Sequence, residues 1–447
     1  MSKRTANVAV YGLGFVGLTL AVVLAESGYR VVGFELRDEL REKILRGEAP
    51  FMEAGLAQGI SRALKSGKLK VMGDTAGIRA DVHIISVGTP LDQDGECRLD
   101  MISRVSRQIA LQVRDGDLIC LRSTVKVGTT RQVVLPLLKE SGKDFLLAYT
   151  PERTLEGDAL RELTQLPQIL AGLDSESEEA AAAFFGRVTS TLIRVSSLET
   201  GELIKLTDNA YRDVRFAFSN EIASIAGSWG VDGDEVLWAA GLGYPRTDVA
   251  VAGPVGGPCL SKDSFILAQS AEEVGESADL ALGARVTNQR VLERVQNSIL
   301  RLCPEGGTIA VLGVAFKGAP ATDDTRGSSA LTVVAGVIAS GHSCSVRLFD
   351  PCGASPEREW WQQLPSYARD RITQVDSWQE ACISANVVLI GNEHPAVLAI
   401  DVNDLLDSCG SKARIIDFWS GRRSRATATQ VPVNYSPWHR VGHTEFP

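Results

Sequence analysis

The sequence predicts an α/β protein with a parallel sheet near each end of the chain and a helical segment between the two sheets. Three observations predict this fold class. Short apolar runs alternate with helical stretches in the first part of the chain, and from Glu199 to Trp229 the apolar residues recur at three- and four-residue steps. The alternation of apolar strands and helices then resumes at Gly307. Such alternation is typical of parallel sheets that are covered by helices on both faces.

Composition and charge narrow the class of protein. A chain of 447 residues, 44% hydrophobic and 23% charged, has the composition of a globular protein with two or three domains. A net charge of −9 argues against a general binder of nucleic acid or of membrane surfaces, and no apolar run approaches a membrane span. Eight cysteines without a Cys-x-x-Cys pair and five scattered histidines predict reduced thiols, a cytoplasmic location and no metal site.

The first strand–helix–strand unit contains a glycine pattern that is typical of dinucleotide-binding turns. The pattern follows the apolar strand Val8–Tyr11, opens the helix Leu18–Ser27, and consists of Gly12, Leu13, Gly14, Phe15, Val16 and Gly17. The first glycine allows the turn, the second lets backbone N–H groups approach a pyrophosphate, and the third permits close packing of the helix. Glu35 ends the next strand, where a carboxylate binds the adenosine ribose hydroxyls and repels a 2′-phosphate. We therefore predict a Rossmann-like domain that binds NAD in preference to NADP.

The remaining elements set the predicted domain boundaries. Further strands of the first sheet are predicted at Val82–Val87, Asp117–Leu121 and Phe145–Ala148, and strands of a second, smaller sheet at Thr308–Leu312, Val346–Phe349, Val387–Ile390 and Ile415–Phe418. Helices are predicted over residues 199–229 and 264–302, with an interruption near Gly275. We predict an NAD-binding domain at 1–198, a helical domain at 199–302 and a second α/β domain at 303–447, irregular after Pro432.

Polar residues on two segments are candidates for chemistry. Glu152 and Glu156 lie in the loop Pro151–Gly157, after a strand end, where ligands gather in open α/β sheets. Lys205 and Asn209 are four residues apart on a predicted helix, so they share one face and can together stabilise an oxyanion. Each pattern taken alone also fits a solvated surface.

Cys259 lies in a glycine- and proline-rich segment, residues 253–263, between the two predicted helices. A free cysteine is most often a small buried hydrophobe. Here Lys262 favours the thiolate, and Asp263 can orient a water or accept a proton. The polar loop from Ala315 to Ser328 follows the first strand of the second sheet and suits phosphate or ribose binding.

Taken in order along the chain, these segments resemble the nucleotide-sugar 6-dehydrogenase family. The matching segments are Gly12–Gly17, Val87–Pro90, Ser123–Val125, Pro151–Gly157, the pair Lys205 and Asn209, Gly256–Asp263 and Phe316–Arg326. The resemblance implies two Rossmann-like domains joined by a central helical dimerisation domain. It also implies a homodimer or higher homo-oligomer, a nucleotide-diphosphate sugar as substrate, and NAD as cofactor.

The resemblance further implies a four-electron oxidation of a sugar C6 alcohol to the carboxylate of an NDP-uronic acid. Cys259 would form a thiohemiacetal and then a thioester, with Lys205 and Asn209 stabilising oxyanions. Asp263 and Thr124 would position a water, and Glu152 would act as acid and base in hydrolysis of the thioester. Further positions match the cofactor site, namely Thr89, Thr124, Glu156 and Arg326. Others match the substrate site, namely Glu152, Lys205, Asn209, Arg246, Gly256, Phe316 and Lys317, with Arg246 matching an arginine that reaches a neighbouring subunit.

Several positions depart from the family pattern. Glu35 stands where aspartate is usual, and Lys126 follows Ser-Thr-Val where proline is common. The short interval from Arg246 to Cys259 favours the N-acetylhexosamine enzymes, whereas Lys262-Asp263 is similar to the glucose enzymes. UDP-glucose and UDP-N-acetylhexosamine therefore remain the leading substrates, with TDP-glucose and GDP-mannose as alternatives. A two-electron β-hydroxyacid dehydrogenase and a non-catalytic NAD sensor are the alternatives outside the family.

Overall fold

The computed structural model of the protein describes residues 6–74, 77–356, 358–410, 413–419 and 438–440. The chain divides into two compact units. The first unit is the chain up to Asn209 together with Phe265–Ala278, and the second is Ala210–Ser264 together with the chain from Asp279 onward. Within the predicted irregular end, residues 438–440 form a short strand, and the rest lies outside the described residues.

The first unit contains an eight-stranded sheet. Its strands are β1 (Asn7–Tyr11), β2 (Arg30–Phe34), β3 (Leu69–Met72), β4 (Val82–Ile85), β5 (Leu118–Leu121), β6 (Leu146–Tyr149), β7 (Gln168–Gly172) and β8 (Leu192–Val195), in the order β3-β2-β1-β4-β5-β6-β7-β8. The predicted parallel sheet is confirmed, with one difference. Strand β7 runs antiparallel to β6, pairing Tyr149 with Ala171, and β8 is again parallel to β7.

Helices cover both faces of this sheet. They are α1 (Phe15–Glu26), α2 (Asp38–Leu45), α3 (Leu56–Lys65), α4 (Asp100–Ala110), α5 (Leu135–Lys139), α6 (Ala159–Gln165) and α7 (Ser175–Phe185). A π-helical turn at Thr130–Val134 precedes α5. Val8 and Val10 of β1 pack in one core cluster, and Ala9 and Tyr11 pack in another. Successive strand residues face opposite sides, so this split reflects a sheet that is buried on both faces.

Four helices follow, α8 (Leu198–Ser228), α9 (Gly233–Gly241), α10 (Asp263–Glu272) and α11 (Asp279–Leu302), of which α8 and α11 are long, with 31 and 24 residues. The predicted interruption near Gly275 is confirmed, because α10 ends at Glu272 and Gly275 has a φ of +78°. A positive φ is readily adopted only by glycine, so the helical hydrogen bonding stops there.

The second unit contains a six-stranded sheet in the order β11-β10-β9-β12-β13-β14, with every pairing parallel. Its strands are β9 (Gly307–Leu312), β10 (Cys344–Phe349), β11 (Ile372–Gln374), β12 (Val387–Ile390), β13 (Arg414–Asp417) and β14 (Trp438–Arg440). Its helices are α12 (Ser329–Ala339), α13 (Arg358–Gln363), α14 (Ser366–Arg369), α15 (Trp378–Cys382), α16 (Pro395–Leu398) and α17 (Val402–Cys409). The predicted second α/β sheet is therefore confirmed.

The first strand of each sheet ends in the same glycine turn. Gly12 follows β1 with a φ of +92°, and Gly313 follows β9 with a φ of +91°. The N–H of Gly12 donates to the carbonyl of Phe34 at 2.9 Å, and the N–H of Gly313 donates to the carbonyl of Phe349 at 2.8 Å. In both sheets the turn is therefore tied to the last residue of the neighbouring strand.

An acidic side chain completes each turn. Glu35, after β2, accepts a hydrogen bond from the N–H of Leu13 at 3.2 Å. Asp350, after β10, accepts hydrogen bonds from the N–H groups of Val314 at 2.7 Å and Ala315 at 3.0 Å. The position of the acid at the end of the second strand is thus the same in both units.

Candidate active site

The glycines of the first turn leave space for a cofactor. A Cβ atom built on Gly14 would have no heavy atom within 4 Å, whereas one on Gly17 would lie 1.8 Å from the Gly12 carbonyl oxygen. Gly17 is therefore required for close packing of α1 against the turn, and Gly14 leaves open the space that a ligand would enter. Helix α1 begins at Phe15, with Val16 in its first turn, and the N-terminus of a helix favours an anionic group such as a pyrophosphate. These residues fit the diphosphate of a dinucleotide.

Glu35 has the environment of a ribose-binding carboxylate. Arg37 donates to it from its backbone N–H at 3.1 Å and from Nε at 2.9 Å. Burial would raise the pKa of Glu35, but the bonds from Arg37 and Leu13 hold that pKa below its ordinary value. An ionised acid at this position favours NAD and repels a 2′-phosphate.

Two predicted cofactor-side residues meet at the carboxyl ends of β4 and β5. The Thr89 hydroxyl donates to the Thr124 carbonyl at 2.5 Å. Beside them, the Ser123 hydroxyl donates to the Val87 carbonyl at 2.6 Å. These bonds fix the two loops against each other at the sheet edge where ligands bind in open α/β sheets.

Glu152 forms a buried ion pair with Arg122. The Arg122 Nη2 lies 2.7 Å from Oε2 of Glu152, while Oε1 accepts the N–H groups of Arg153 at 2.7 Å and Thr154 at 2.6 Å. Burial alone would raise the pKa of Glu152, but the Arg122 charge and these bonds lower it. Glu152 is therefore an anion that holds its loop, and action as a base requires one of these bonds to be exchanged for a water.

Glu156, in the same loop, is half-buried. The end of that loop is held by Glu53, whose Oε2 accepts the Gly157 N–H at 2.7 Å. Burial raises the pKa of Glu53, against the opposing effect of its backbone hydrogen bonds. Sequence reasoning missed Glu53, because nothing in its local pattern links it to a loop a hundred positions away.

Lys205 and Asn209 share one buried face of α8, with exposed fractions of 8% and 5%. Among the described residues of the first unit, no carboxylate forms an ion pair with the Lys205 ammonium. A buried ammonium without a structural counter-ion is costly and is typical of functional sites.

Glu202, one turn before Lys205, was also missed by sequence reasoning. Its carboxylate accepts the N–H groups of Gly128 at 2.6 Å and Thr130 at 2.8 Å, and burial raises its pKa. It therefore ties the chain after Thr124 to the helix of Lys205. The feature of the sequence that could have indicated Glu202 is its position three residues before Lys205, on the same face of the helix.

Cys259 lies in the second unit, between α9 and α10, and its side chain is exposed. The other seven cysteines are buried or half-buried. The Cys259 carbonyl accepts the N–H groups of Lys262 at 3.1 Å and Asp263 at 3.0 Å, which closes a turn at the start of α10. Asp263 is fully buried, and its carboxylate pairs with Lys262 Nζ at 2.7 Å.

The loop that carries Cys259 packs against the loop after β9. The Gly257 N–H donates to the Gly327 carbonyl at 2.9 Å. A Cβ atom on Gly256 would lie 2.3 Å from the same oxygen, and one on Gly257 would lie 2.6 Å from the Phe316 ring. The structure thus brings together the predicted residues Gly256 and Phe316, and it needs glycines where the two loops touch.

The three predicted basic residues of the second unit have different surroundings. Lys317 is buried, with Nζ 5.6 Å from the centroid of the Phe316 ring. Arg326 pairs with Asp324 at 2.6 Å and is half-exposed. Arg246 is exposed, and its Nε donates to the Tyr244 hydroxyl at 3.0 Å.

Each unit contains part of the predicted site. The first unit holds Gly12, Gly14, Phe15, Val16, Gly17, Glu35, Thr89, Thr124, Glu152, Glu156, Lys205 and Asn209. The second unit holds Arg246, Gly256, Cys259, Asp263, Phe316, Lys317 and Arg326. Across the described ranges, no group of three or more His, Cys, Asp or Glu side chains could hold a metal ion. Nor does any helix in the described part of the chain have the length and apolarity needed to cross a membrane.

A glycine turn of the dinucleotide-binding type with an ionised acid at the end of the next strand, and a second Rossmann-like sheet beside an exposed thiol loop, are the features of a dinucleotide-dependent oxidoreductase. The sequence matches the UDP-glucose/GDP-mannose dehydrogenase family in its NAD binding domain over residues 6–188, its central domain over 199–290 and its UDP binding domain over 310–421. The chain belongs to this family. It is an NAD-dependent nucleotide-sugar dehydrogenase, which confirms the predicted family, enzyme class and cofactor.

Individual relatives match over most of their length. A UDP-N-acetyl-D-mannosamine dehydrogenase of Methanocaldococcus jannaschii is 32% identical over 89% of this chain and 88% of its own. A GDP-mannose 6-dehydrogenase of Pseudomonas putida is 32% identical over 76% of this chain and 80% of its own. The solved structure of a UDP-D-ManNAc dehydrogenase from Pyrococcus horikoshii has a TM-score of 0.83, with 29% identity over 98% of this chain and 100% of that one.

Proposed function

We propose that the protein oxidises the C6 hydroxymethyl group of a UDP-N-acetylhexosamine to a carboxylate, with Cys259 as the covalent nucleophile. The observation that carries this proposal is the exposed Cys259 thiol, held on a turn that begins α10. The substrate assignment rests on the UDP-N-acetyl-D-mannosamine dehydrogenases among the relatives and on the short interval between Arg246 and Cys259. UDP-glucose, TDP-glucose and GDP-mannose are the competing substrates.

In the proposed reaction, NAD⁺ supplies the hydride acceptor, one equivalent for each of two oxidations. The Cys259 thiolate adds to the C6 aldehyde carbon, and the resulting thiohemiacetal loses a hydride to become a thioester. Lys205 and Asn209 stabilise the negative charge on the C6 oxygen, a role that suits a buried ammonium and a buried amide. Asp263 and Thr124 orient the water that releases the carboxylate, and Glu152 assists proton transfer in that hydrolysis. Covalent attachment keeps the aldehyde from leaving between the two oxidations.

We propose the following contacts for the remaining predicted residues. Thr89, Glu156 and Arg326 border the cofactor, and Phe316 and Lys317 contact the nucleotide sugar, with Gly256 giving the substrate access. Arg246 would act in the site of a neighbouring subunit. The chain would work as an NAD-binding domain, a central helical domain and a nucleotide-sugar domain, with reduced thiols in the cytoplasm.

We further propose that a second copy of the chain covers one face of α8. Tyr211, Phe218 and Ile225 recur on α8 at seven-residue steps, and Trp229 follows directly after the end of the helix; their exposed fractions run from 50% to 81%. A continuous stripe of large apolar side chains on a helix surface is typical of an interface. A homodimer would bury this stripe.

The stoichiometry of NADH tests the reaction, and a substrate panel tests the sugar. Two NADH per nucleotide sugar consumed supports the thioester route, one supports a two-electron β-hydroxyacid dehydrogenase, and none supports an NAD sensor. The same assay with UDP-N-acetylmannosamine, UDP-N-acetylglucosamine, UDP-glucose, TDP-glucose and GDP-mannose ranks the substrates by kcat/KM. A higher kcat/KM for UDP-glucose than for both N-acetyl sugars would contradict the proposed substrate.

A further inference from the structure

A buried polar network in the second unit contacts the Cys259 loop on both sides of the thiol. The network consists of Asp213, Asn220, Arg285 and Asn288, which have exposed fractions from 0% to 9%. Asp213 and Asn220 lie on α8, and Arg285 and Asn288 lie on α11. We propose that these four residues position the Cys259 thiol for attack, an inference that rests on the proposed role of Cys259 as the nucleophile.

Arg285 holds the residue that follows Cys259. Its Nη1 donates to the Leu260 carbonyl at 2.7 Å and to Oδ1 of Asp213 at 2.9 Å. The other carboxylate oxygen of Asp213 accepts the Ser264 hydroxyl at 3.2 Å. One ion pair therefore fixes both the peptide after Cys259 and the first turn of α10.

Asn220 holds the start of the same loop. Its Nδ2 donates to the Gly253 carbonyl at 3.0 Å, and its Oδ1 accepts the Gly253 N–H at 2.8 Å. The same Nδ2 donates to Oδ1 of Asn288 at 2.9 Å, and Nδ2 of Asn288 donates to Oδ1 of Asp213 at 2.8 Å. The two ends of the loop are thus joined through one chain of hydrogen bonds.

The energetics favour positioning over stability as the role of this network. Burial raises the pKa of Asp213 against the effect of Arg285, and burial lowers the pKa of Arg285 against the effect of Asp213. Both charges are therefore in an unfavourable environment, and apolar side chains of similar size would often be at least as stable. What apolar side chains cannot supply is the directional bond to the Leu260 carbonyl.

The geometry of α8 separates this role from the proposed interface. Asp213 and Asn220 are seven residues apart, as are Tyr211 and Phe218. The two pairs are offset by two residues, about 200° around a helix, so they lie on opposite faces. Substitutions in the network can therefore be tested without altering the apolar stripe.

Kinetics of Arg285→Met test the proposal, with Arg285→Lys as the conservative variant. A displaced nucleophile lowers kcat about 10- to 100-fold with the KM for both substrates within about threefold, since misplacement of about 1 Å has effects of this size. The rate of iodoacetamide alkylation of Cys259, measured by peptide mass spectrometry without substrate, should change by at least about fivefold, in line with altered access or thiolate content. Arg285→Lys, which keeps the charge and one donor nitrogen, should recover part of kcat.

Two controls make the result specific. Arg294→Met removes an exposed arginine that also links α11 to α8, through the Ser224 hydroxyl at 2.6 Å, and should leave kcat and alkylation unchanged. Burial raises the pKa of Cys352 to about 11, so the alkylation of this half-buried thiol provides an internal reference.

A merely structural network predicts a different outcome. Arg285→Met would then lower the melting temperature while the folded enzyme kept wild-type kcat and Cys259 alkylation, and that result would overturn the proposal. If Arg285→Met does not fold, the neutral double variant Asp213→Asn/Arg285→Met and the variant Asn220→Ser are measured instead against the same criteria. Full turnover in Cys259→Ser would remove the proposed nucleophile, whereas the alkylation rate reports on the geometry of the loop in either case.

Discussion

Arg122 and Glu152 form a buried ion pair between the carboxyl ends of the neighbouring strands β5 and β6. Besides its 2.7 Å contact with Glu152, Arg122 donates from Nη1 to the Thr150 carbonyl and to the Gln168 side chain, both at 3.0 Å. The start of the Pro151–Gly157 loop is therefore bound to the sheet by charge as well as by the backbone.

Replacing Glu152 by glutamine should destabilise the first unit, because the Arg122 charge would remain buried without its partner. We expect a loss of about 3 kcal/mol, as for other buried pairs that lose one member. Differential scanning calorimetry measures the change. The matched control is Glu48→Gln, which breaks an exposed arginine–glutamate pair, Arg46 Nε to Oε1 at 2.9 Å, and should have no measurable effect.

The pH dependence of the Glu152→Gln effect has a defined sign. The pKa of Glu152 is lower in the folded protein than in the unfolded chain, so its stabilising effect is present above about pH 4.3 and is lost as the pH falls through the folded-state pKa. The difference in melting temperature between wild type and Glu152→Gln should be constant from pH 8 to pH 5. A difference that shrinks within that range would mean that the pKa is raised.

Cys259→Ser should abolish completed turnover while NAD and the nucleotide sugar still bind. A serine hydroxyl is not ionised at neutral pH and cannot replace a thiolate. NADH formation measures turnover, and calorimetric titration measures the binding of NAD and of the nucleotide sugar. Cys352→Ser, at a half-buried cysteine, is the control and should turn over normally. Wild-type activity in Cys259→Ser would rule out covalent catalysis by this residue.

Lys205→Ala should lower kcat about 100- to 1000-fold with little change in KM, because an oxyanion contact strengthens in the transition state. Steady-state kinetics with the preferred sugar measure both constants. Lys65→Ala, at an exposed lysine on α3, should match the wild type. If kcat of Lys205→Ala is unchanged, Lys205 has no role in stabilising the oxyanion.

Glu35→Ser should shift cofactor preference toward NADP. Without the carboxylate, the Arg37 guanidinium loses its Glu35 partner, and Arg41, whose Nη1 donates to the Glu35 carbonyl at 3.0 Å, lies nearby. Guanidinium groups bind phosphate well, so we expect the NADP-to-NAD ratio of kcat/KM to rise at least about tenfold, or about 1.4 kcal/mol. The double variant Glu35→Ser/Arg37→Ala should lose most of the gain, and retention of the gain would exclude Arg37 as its source.

Phe218→Glu should convert the proposed dimer into a monomer of 48.0 kDa. The new charge would have to be buried in the apolar stripe on association, which is unfavourable. Sedimentation velocity measures the mass. Leu111→Glu, at a residue that is 89% exposed outside the stripe, should leave the mass unchanged. A wild-type protein that is already monomeric at micromolar concentration would contradict the proposed interface.

The sequence was sufficient to predict those elements whose pattern is strong. Helix α8 was expected over residues 199–229 and spans Leu198–Ser228, because its apolar spacing is sustained over many turns. In the first sheet, strands β3, β7 and β8 were not predicted, and β8, for example, has two exposed residues among its four. The reversal of β7 could not be predicted either, because an apolar run defines a strand without its direction.

Candidate site residues could be proposed from the sequence where chemistry needs a particular residue type in a short motif, as at Gly14 or Cys259. Supporting residues such as Glu53 and Arg285 were not predictable. They act on backbone groups that are distant in sequence, Gly157 for the first and Leu260 for the second. Many residue types can form a hydrogen bond to a backbone carbonyl or N–H, so the residue type alone does not predict that bond.

The matching turns after β1 and β9 also match in sequence. Val8-Ala-Val-Tyr-Gly-Leu-Gly-Phe-Val-Gly17 is paralleled by Ile309-Ala-Val-Leu-Gly-Val-Ala-Phe-Lys-Gly318, with Ala315 in the place of Gly14. The space that is open at Gly14 is therefore occupied by a buried methyl group in the second turn. The two turns therefore share their sequence pattern and backbone geometry and differ in access, which is open at Gly14 and closed at Ala315. A single methyl group thus separates a turn that has room for a pyrophosphate from one in which the same space is closed.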